Sequence, residues 1–143
     1  MFHTLIIVGN VGRDPEMRYT PSGQAVTSFS VATSRNYNNS QGQQVKETIW
    51  FRISAWGKLA ETCSQYLHKG SKVLIEGRLT PDISSGGPRV WTRQDGTPSA
   101  SYEVSASTVR FLSPRGESGD QEPMGDDMAA DSGGAPSSDE IPF

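Results

Sequence analysis

Short apolar segments, several of them alternating with polar residues, recur along the first 112 residues and are separated by turn residues. A period of two is typical of strands that bury one face, because successive side chains point to opposite sides of a sheet. The pattern predicts five strands. They cover residues 5–8, 25–33, 46–56, 72–79 and 102–112.

One segment, residues 57–70, has a helical period instead. Its apolar residues fall on one face of a helix, namely Leu59, Ala60, Cys63, Tyr66 and Leu67. Gly70 is expected to cap this helix, with His68 and Lys69 in the last turn, where cations suit the helix dipole. The resulting order is strand, strand, strand, helix, strand, strand. It predicts an all-β protein with one helix, a five-stranded Greek-key barrel of the OB-fold type.

Turn residues and one irregularity complete the prediction. The expected turns and polar loops cover residues 20–23, 36–44 and 82–88. In the fifth strand the apolar alternation slips between Ala106 and Val109. A β-bulge near Ser107 and Thr108 would account for the slip, because a bulge adds one residue to a strand.

The third strand contains the most informative pattern. Its core face is expected to carry Ile49, Phe51, Ile53 and Ala55. Its other face then carries Thr48, Trp50, Arg52, Ser54 and Trp56. Strand tryptophans usually pack in a core, but here apolar neighbours already occupy the core face. Aromatic planes beside cations suit single-stranded nucleic acid, because bases stack on the rings and cations pair with phosphates.

Further aromatic and basic residues lie in the expected loops. Trp91 follows the Gly/Ser loop between Arg89 and Arg93, which favours a binding role. Tyr37 lies in the polar hairpin, where the alternative is a residue that folds back onto the barrel. Two lysines are candidates for phosphate contacts, with simple solvation as the alternative; they are Lys58 and Lys69.

Charge is divided unevenly along the chain, whose net charge is −3. Residues 1–114 hold 12 Lys and Arg against 8 Asp and Glu, whereas residues 115–143 hold 1 against 8. From Arg115 to Glu140 there is no Ile, Leu, Val, Phe, Tyr or Trp, so this segment cannot bury enough apolar surface to fold. The sequence therefore predicts a mildly basic domain over 1–114 and a disordered acidic tail over 115–143.

Several function classes are disfavoured. One cysteine, Cys63, and two histidines cannot build a disulfide framework or a zinc site, so no metal and no cofactor are expected. The stretch Gly9–Arg13 lacks the Gly-Lys-Ser/Thr of a phosphate-binding loop, and His3 and His68 have no catalytic partner at suggestive spacing. No membrane span or signal peptide is recognisable, and a soluble cytoplasmic protein is expected.

A set of collinear motifs resembles the bacterial single-stranded DNA-binding protein family over residues 3–112. The motifs are Val8–Tyr19, Pro21–Gly23, Ala32–Ser34, Trp50–Arg52, Trp56–Glu61, Tyr66–Ser71 and Ile75–Leu79. The ending Asp139-Glu140-Ile141-Pro142-Phe143 is similar to the acidic tip of bacterial members.

The resemblance implies a homotetramer of OB-folds that binds single-stranded DNA without strong sequence preference and without catalysis. Implied stacking residues are Tyr37, Trp50, Trp56 and Trp91. Phosphate contacts are expected from Arg18, Arg52, Lys58, Lys69, Arg89 and Arg93. The tip, Asp139, Glu140, Ile141, Pro142 and Phe143, is expected to bind replication, repair and recombination proteins. A cytoplasmic, nucleoid-associated location follows.

Two features of the predicted barrel depart from the family pattern, and one alternative function stays open. Phe51 stands where some relatives carry histidine, which affects the expected subunit contacts. Residues 82–88 lengthen the loop before Trp91 and place Asp and Ser where basic residues are expected. The rival is an OB-fold adaptor or RNA-binding module of the same fold. A preference for RNA or duplex would favour that rival.

Overall fold

The computed structural model describes residues 1–113, and within that range it contains seven β-strands and one α-helix. Their bounds are β1 Leu5–Val11, β2 Glu16–Tyr19, β3 Ala25–Asn38, β4 Gln44–Trp56, α1 Lys58–Tyr66, β5 Lys72–Leu79, β6 Arg89–Thr92 and β7 Pro98–Phe111. The expected acidic tail lies outside the described residues, as does its five-residue tip.

Five of the strands close into a barrel, which confirms the predicted OB-fold. β1 pairs with both β5 and β3, and the ring runs β1, β5, β7, β4, β3 and back to β1. Every pairing in the ring is antiparallel except that of β4 with β7. The remaining strands lie outside the ring, β2 against β3 and β6 against β7.

The barrel encloses the hydrophobic core, and α1 packs against it. The largest fully buried side chains include Phe29, Val31, Ile53, Val73, Ile75 and Val104. Ala60 and Cys63 of the helix are buried as well, and the Thr27 hydroxyl donates a 2.7 Å hydrogen bond to the carbonyl oxygen of Ala60. Burial raises the pKa of the Cys63 thiol to about 11. The helix thus docks through apolar contacts and one buried hydrogen bond.

Close approach between strands requires glycine at two positions. A Cβ on Gly77 would lie 2.9 Å from Val104 Cγ1 and closer still to the Ser105 carbonyl oxygen. A Cβ on Gly9 would lie 2.8 Å from Val31 Cγ1. The barrel therefore closes tightly where these glycines face neighbouring backbone.

The predicted bulge is confirmed on β7, beside Gly77. Glu76 pairs with Thr108 and Gly77 with Ala106, which leaves Ser107 as the additional residue. The extra residue shifts the alternation, so that both Ala106 and Val109 face the core.

The hairpin between β3 and β4 is longer than predicted, and the expected loop over 36–44 is wrong. Asn36, Tyr37 and Asn38 continue the ladder opposite Lys46, Val45 and Gln44. Only residues 39–43 turn, where the Asn39 side-chain oxygen accepts hydrogen bonds from the amides of Gln41 and Gln43. Cross-strand pairing holds these polar residues extended although their composition indicated a loop.

Strand ends differ from the sequence pattern elsewhere as well. β7 begins at Pro98 rather than at residue 102, and the short strands β2 and β6 were not predicted. Ile49, expected in the core, is 44% exposed, because β4 pairs with β7 only from Phe51 onward. Before that point the hairpin projects beyond the barrel, and nothing in the described chain covers that face of β4.

The helix is shorter than predicted. It ends at Tyr66, and Leu67 is extended although its side chain still enters the core. His68 and Lys69 therefore lie in the following turn, where the amide of His68 donates to the Ser71 hydroxyl. Gly70 does not cap the helix; its amide donates to the Val11 carbonyl oxygen and its φ is +91°. Tyr66, expected on the core face, is exposed.

Candidate nucleic-acid interface

The outer surface of the barrel beside β4 has a low floor of small polar side chains. Cross-strand register places Ser28 opposite Ser54, and Ser30 opposite Arg52. On the other side of β4, Ser105 is the partner of Ser54 and Glu103 that of Arg52. Because serine side chains are short, the longer residues around them form walls.

The walls bring together three arginines and two tryptophans. One concave site of about 250 Å³ is lined by Arg18, Arg52, Arg89 and Trp56, together with Glu103 and serines of the floor. An adjoining site of about 320 Å³ is lined by Arg52, Arg89, Trp91 and Glu103. We call these two joined concavities the basic groove. Three of the six predicted phosphate contacts and two of the four predicted stacking residues therefore lie at one place.

Trp50 stands on the same face of β4 and lies outside the core. Its side chain is 54% exposed, and those of Trp56 and Trp91 are each 42% exposed. Gly12 backs the Trp50 ring, because a Cβ there would lie 2.9 Å from Trp50 Cη2 and closer still to Cζ3. The Gly12 amide in turn donates a 2.9 Å hydrogen bond to the Ser30 carbonyl oxygen. One region of the indole thus rests on backbone while much of it remains accessible.

Trp91 reaches the groove because β6 and β7 form a hairpin, with Trp91 opposite Ser99. The Asp95 carboxylate closes the turn of this hairpin by accepting hydrogen bonds from the Thr97 hydroxyl and amide. These hydrogen bonds lower the pKa of Asp95. Arg93 lies in that turn, where its amide bonds the Thr97 carbonyl oxygen, and it does not line the basic groove.

Tyr37 lies on the opposite face of the β3–β4 hairpin from Trp50. The ladder is uninterrupted, so Tyr37 shares the face of Phe29 and Val31 rather than that of Ser28 and Ser30. Its ring is 38% exposed.

Two neighbours hold the Tyr37 ring. The Arg35 guanidinium lies 4.8 Å from the ring centroid and forms a 3.0 Å ion pair with Glu47. The Tyr37 hydroxyl donates a 3.4 Å hydrogen bond to the same carboxylate. Tyr37 is therefore an oriented aromatic, separate from the groove.

The two lysines lie outside the basic groove. Lys58 is exposed at the start of α1, two residues after Trp56. The Lys69 amide donates a 2.8 Å hydrogen bond to Asp14, and its neighbour Gly70 bonds Val11. Lys69 thus lies beside the segment that follows β1 and contains Gly12. The five tip residues, Asp139 to Phe143, fall outside the described part of the chain.

Three charged residues at these sites were missed by the sequence analysis. Arg78 is exposed and is the register partner of Ser105, which puts it beside the serine floor of the outer face. Glu103 lines the groove itself. Arg35 lies over Tyr37. Alternation places Arg78 on the polar face of its strand, but only the pairing of β7 with β5 and β4 brings Arg78 and Glu103 to this surface.

Metal sites and membrane-spanning helices are a separate question from the groove. Among residues 1–113 there is no group of three His, Cys, Asp or Glu placed to hold a metal ion. Within the same part of the chain, no helix has the length and apolar character that crossing a membrane requires.

Comparison with known families gives a match over most of the chain. The model of the "Single-strand binding protein family" matches residues 2–112. A single-stranded DNA-binding protein of Neisseria meningitidis is 42% identical over 113 residues, which are 79% of this chain and 61% of that protein. One from Wolinella succinogenes is 38% identical over 118 residues, covering 82% of this chain and 68% of the relative.

A solved structure agrees with the sequence comparison. The single-stranded DNA binding protein from Thermus aquaticus, as a deletion mutant, superposes with a TM-score of 0.60 at 26% identity. The match covers 78% of this chain and 51% of that one. The chain thus spans about three fifths of the length of the Neisseria relative and about half of the Thermus protein.

Proposed function

Because the chain belongs to the single-strand binding protein family, we propose that it binds single-stranded DNA without strong sequence preference. The family is one of binding proteins, and the chain is not an enzyme.

The observation that carries this proposal is the grouping of exposed indoles and arginines on one face. Trp50, Trp56 and Trp91 are accessible outside the core, and the last two share a groove with arginines. Stacking of a base on such a ring contributes about 1–3 kcal/mol. A duplex covers the faces of its bases with neighbouring pairs, so only an unpaired strand offers them.

Weak sequence preference follows from the same chemistry. Every base has a π-face, and every nucleotide carries the phosphate that an arginine recognises. We propose that Arg18, Arg52 and Arg89 contact phosphates in the groove. Lys58, Lys69 and Arg93 are proposed to contact the strand where it enters or leaves, and Tyr37 to stack a base on the far side of the hairpin.

The test is a competition measured by fluorescence anisotropy of labelled oligo-dT. Unlabelled oligo-dT is expected to displace the label at much lower concentration than duplex DNA of the same length. Displacement by duplex or by oligo-U at equal or lower concentration would instead favour the RNA-binding or adaptor alternative.

We also propose a homotetramer. Resemblance to the family supports it, as do the apolar side chains of Ile6 and Val8, which β1 leaves exposed and a subunit contact would cover. Native mass spectrometry is expected to give four times the chain mass of 15.5 kDa. A monomer or dimer at micromolar concentration would refute this assembly.

The proposed cellular role is to protect unpaired strands and to recruit replication, repair and recombination proteins through residues 139–143. Similarity of the ending to the family's acidic tip supports this role. A cytoplasmic, nucleoid-associated location is part of the proposal. Deleting residues 139–143 is expected to abolish partner binding while leaving oligo-dT affinity within about twofold. Unchanged partner binding would exclude the tip.

A further inference from the structure

Glu103 is a carboxylate in the middle of the basic groove. It lines both concavities, beside Arg52 and Arg89, and it is the register partner of Arg52 across the parallel β4–β7 pair. Its side chain is partly buried. A negative charge here opposes the binding of phosphates, so its position needs another explanation.

The explanation is not an ion pair with the groove arginines. Among residues 1–113 the only ion pair joins Arg35 to Glu47, on the far face of the hairpin. Within these residues the side chain of Glu103 accepts one hydrogen bond, from the Ser101 hydroxyl to Oε1 at 3.3 Å. Within the described residues, this carboxylate therefore keeps acceptor capacity on the groove side that no donor uses.

A bound strand would remove water from this carboxylate, and the loss of its hydrogen bonds must be offset by donors on the strand. Phosphates and sugar ring oxygens of DNA are acceptors only. The donors are on the bases, and the exocyclic amino group of cytosine is a known partner of Glu. At the same position thymine and uracil present a carbonyl oxygen, which repels a carboxylate, and they keep only the ring N3–H beside it as a donor.

We propose that Glu103 accepts a hydrogen bond from the exocyclic amino group of a base in the groove, and so favours cytosine over thymine or uracil there. The inference rests on the proposed binding of single-stranded DNA. It adds one base-discriminating contact to a surface that otherwise binds through stacking and charge.

The experiment compares oligo-dC with oligo-dU, which differ at the base position that Glu103 would read and share the absence of a methyl group. Strands of about 16 nucleotides match the upper site size of one OB-fold. Affinities are measured for the unaltered protein, for Glu103→Gln and for Glu103→Asp. Glu61→Gln is the matched control, because it removes the same charge from an exposed position on α1 outside the groove.

The ratio of dC affinity to dU affinity is expected to fall about fivefold or more in Glu103→Gln, since Gln offers an amide donor to the uracil carbonyl. Glu103→Asp keeps the charge but shortens its reach, so the ratio is expected to fall there too. Glu61→Gln is expected to leave the ratio unchanged. Melting curves establish that each variant is folded.

Equal tightening of both ligands by Glu103→Gln would overturn the inference, because it would show a purely electrostatic effect. A ratio that falls in Glu61→Gln as much as in Glu103→Gln would do the same. If the unaltered protein bound neither strand, the proposed function itself would fail. If the unaltered protein bound both strands and Glu103→Gln left the ratio of their affinities unchanged, the inference alone would be overturned and the proposed function would stand.

Discussion

At the scale of single residues, the function depends on which face of a strand each side chain occupies. Alternation along β4 predicted that Trp50, Arg52 and Trp56 share the outer face, and the structure confirms their exposure. The same rule could not predict Gly12, because its contact with Trp50 joins the residue after β1 to β4 through the closure of the barrel. Periodicity fixes the face of a side chain, whereas its neighbours depend on pairings far apart in the chain.

Replacing Trp50 with Ala is expected to weaken oligo-dT binding by about 1–3 kcal/mol, because a stacking plane is lost. The free energy of unfolding should change little, since the ring lies outside the core. Tyr66→Ala is the control, an exposed aromatic of α1 that does not line the groove. Isothermal titration of both variants with oligo-dT measures the change in affinity. If Trp50→Ala bound oligo-dT as tightly as Tyr66→Ala, Trp50 would not be part of the binding surface.

Replacing Gly12 with Ala is expected to weaken binding as well, because the added methyl group would displace the Trp50 ring. The loss should be smaller than for Trp50→Ala, since the indole is moved rather than removed. In a double-mutant cycle, Gly12→Ala should cost nothing further once Trp50 is Ala. Additive losses in that cycle would show that Gly12 acts through another contact.

At the scale of secondary-structure elements, the sequence predicted the strands that bury one face and missed those held mainly by backbone pairing. The strand over 72–79 and the bulge at Ser107 were predicted because their apolar pattern is imposed by the core. β2 and β6 have no buried side chain, so they leave no apolar signal. The distal end of the β3–β4 hairpin also has no buried side chain, so its sequence carries no apolar signal either.

The docking of α1 predicts a dependence of stability on alkaline pH. Burial raises the pKa of Cys63 from 9.0 to about 11, so the folded state keeps the thiol protonated at a pH where the unfolded state has lost that proton. Ionisation of Cys63 therefore leaves the free energy of unfolding unchanged below pH 9, and this free energy falls as the pH rises from 9 toward 11.

Denaturant titrations at pH 8 to 11 measure this loss. Cys63→Ala is expected to be less stable at pH 8 because of the cavity it leaves, yet to lose less stability with rising pH. Lysines and tyrosines also titrate in this range, and the variant separates their effect from that of Cys63. If the free energy of unfolding fell equally with pH in both proteins, the Cys63 thiol would not contribute to the pH dependence.

At the scale of the whole molecule, charge is divided unevenly along the sequence. Residues 1–114 carry a net charge of +4 and residues 115–143 one of −7. The net charge alone would disfavour a nucleic-acid ligand, whereas its distribution along the sequence favoured one. The grouping of Arg18, Arg52 and Arg89 could not be predicted without the fold, since these residues come from three strands far apart in the chain.

Salt dependence tests the role of these arginines. Each phosphate contact on a single strand contributes about −0.7 to the slope of log K against log salt concentration. Arg52→Gln is expected to make the slope shallower by about 0.7. Arg110→Gln, at an exposed position on β7 outside the groove, should leave it unchanged. Equal slopes for both variants would contradict a phosphate contact at Arg52.

Intrinsic tryptophan fluorescence is the decisive measurement of base stacking, because the protein has three tryptophans and all three are proposed to stack. Oligo-dT is added to saturation, monitored independently by anisotropy, and acrylamide quenching is measured before and after. If the three indoles stack on bases, the emission falls on binding and the bound protein loses most of its sensitivity to acrylamide. Saturated protein with unchanged emission and unchanged acrylamide quenching would show that the strand binds elsewhere.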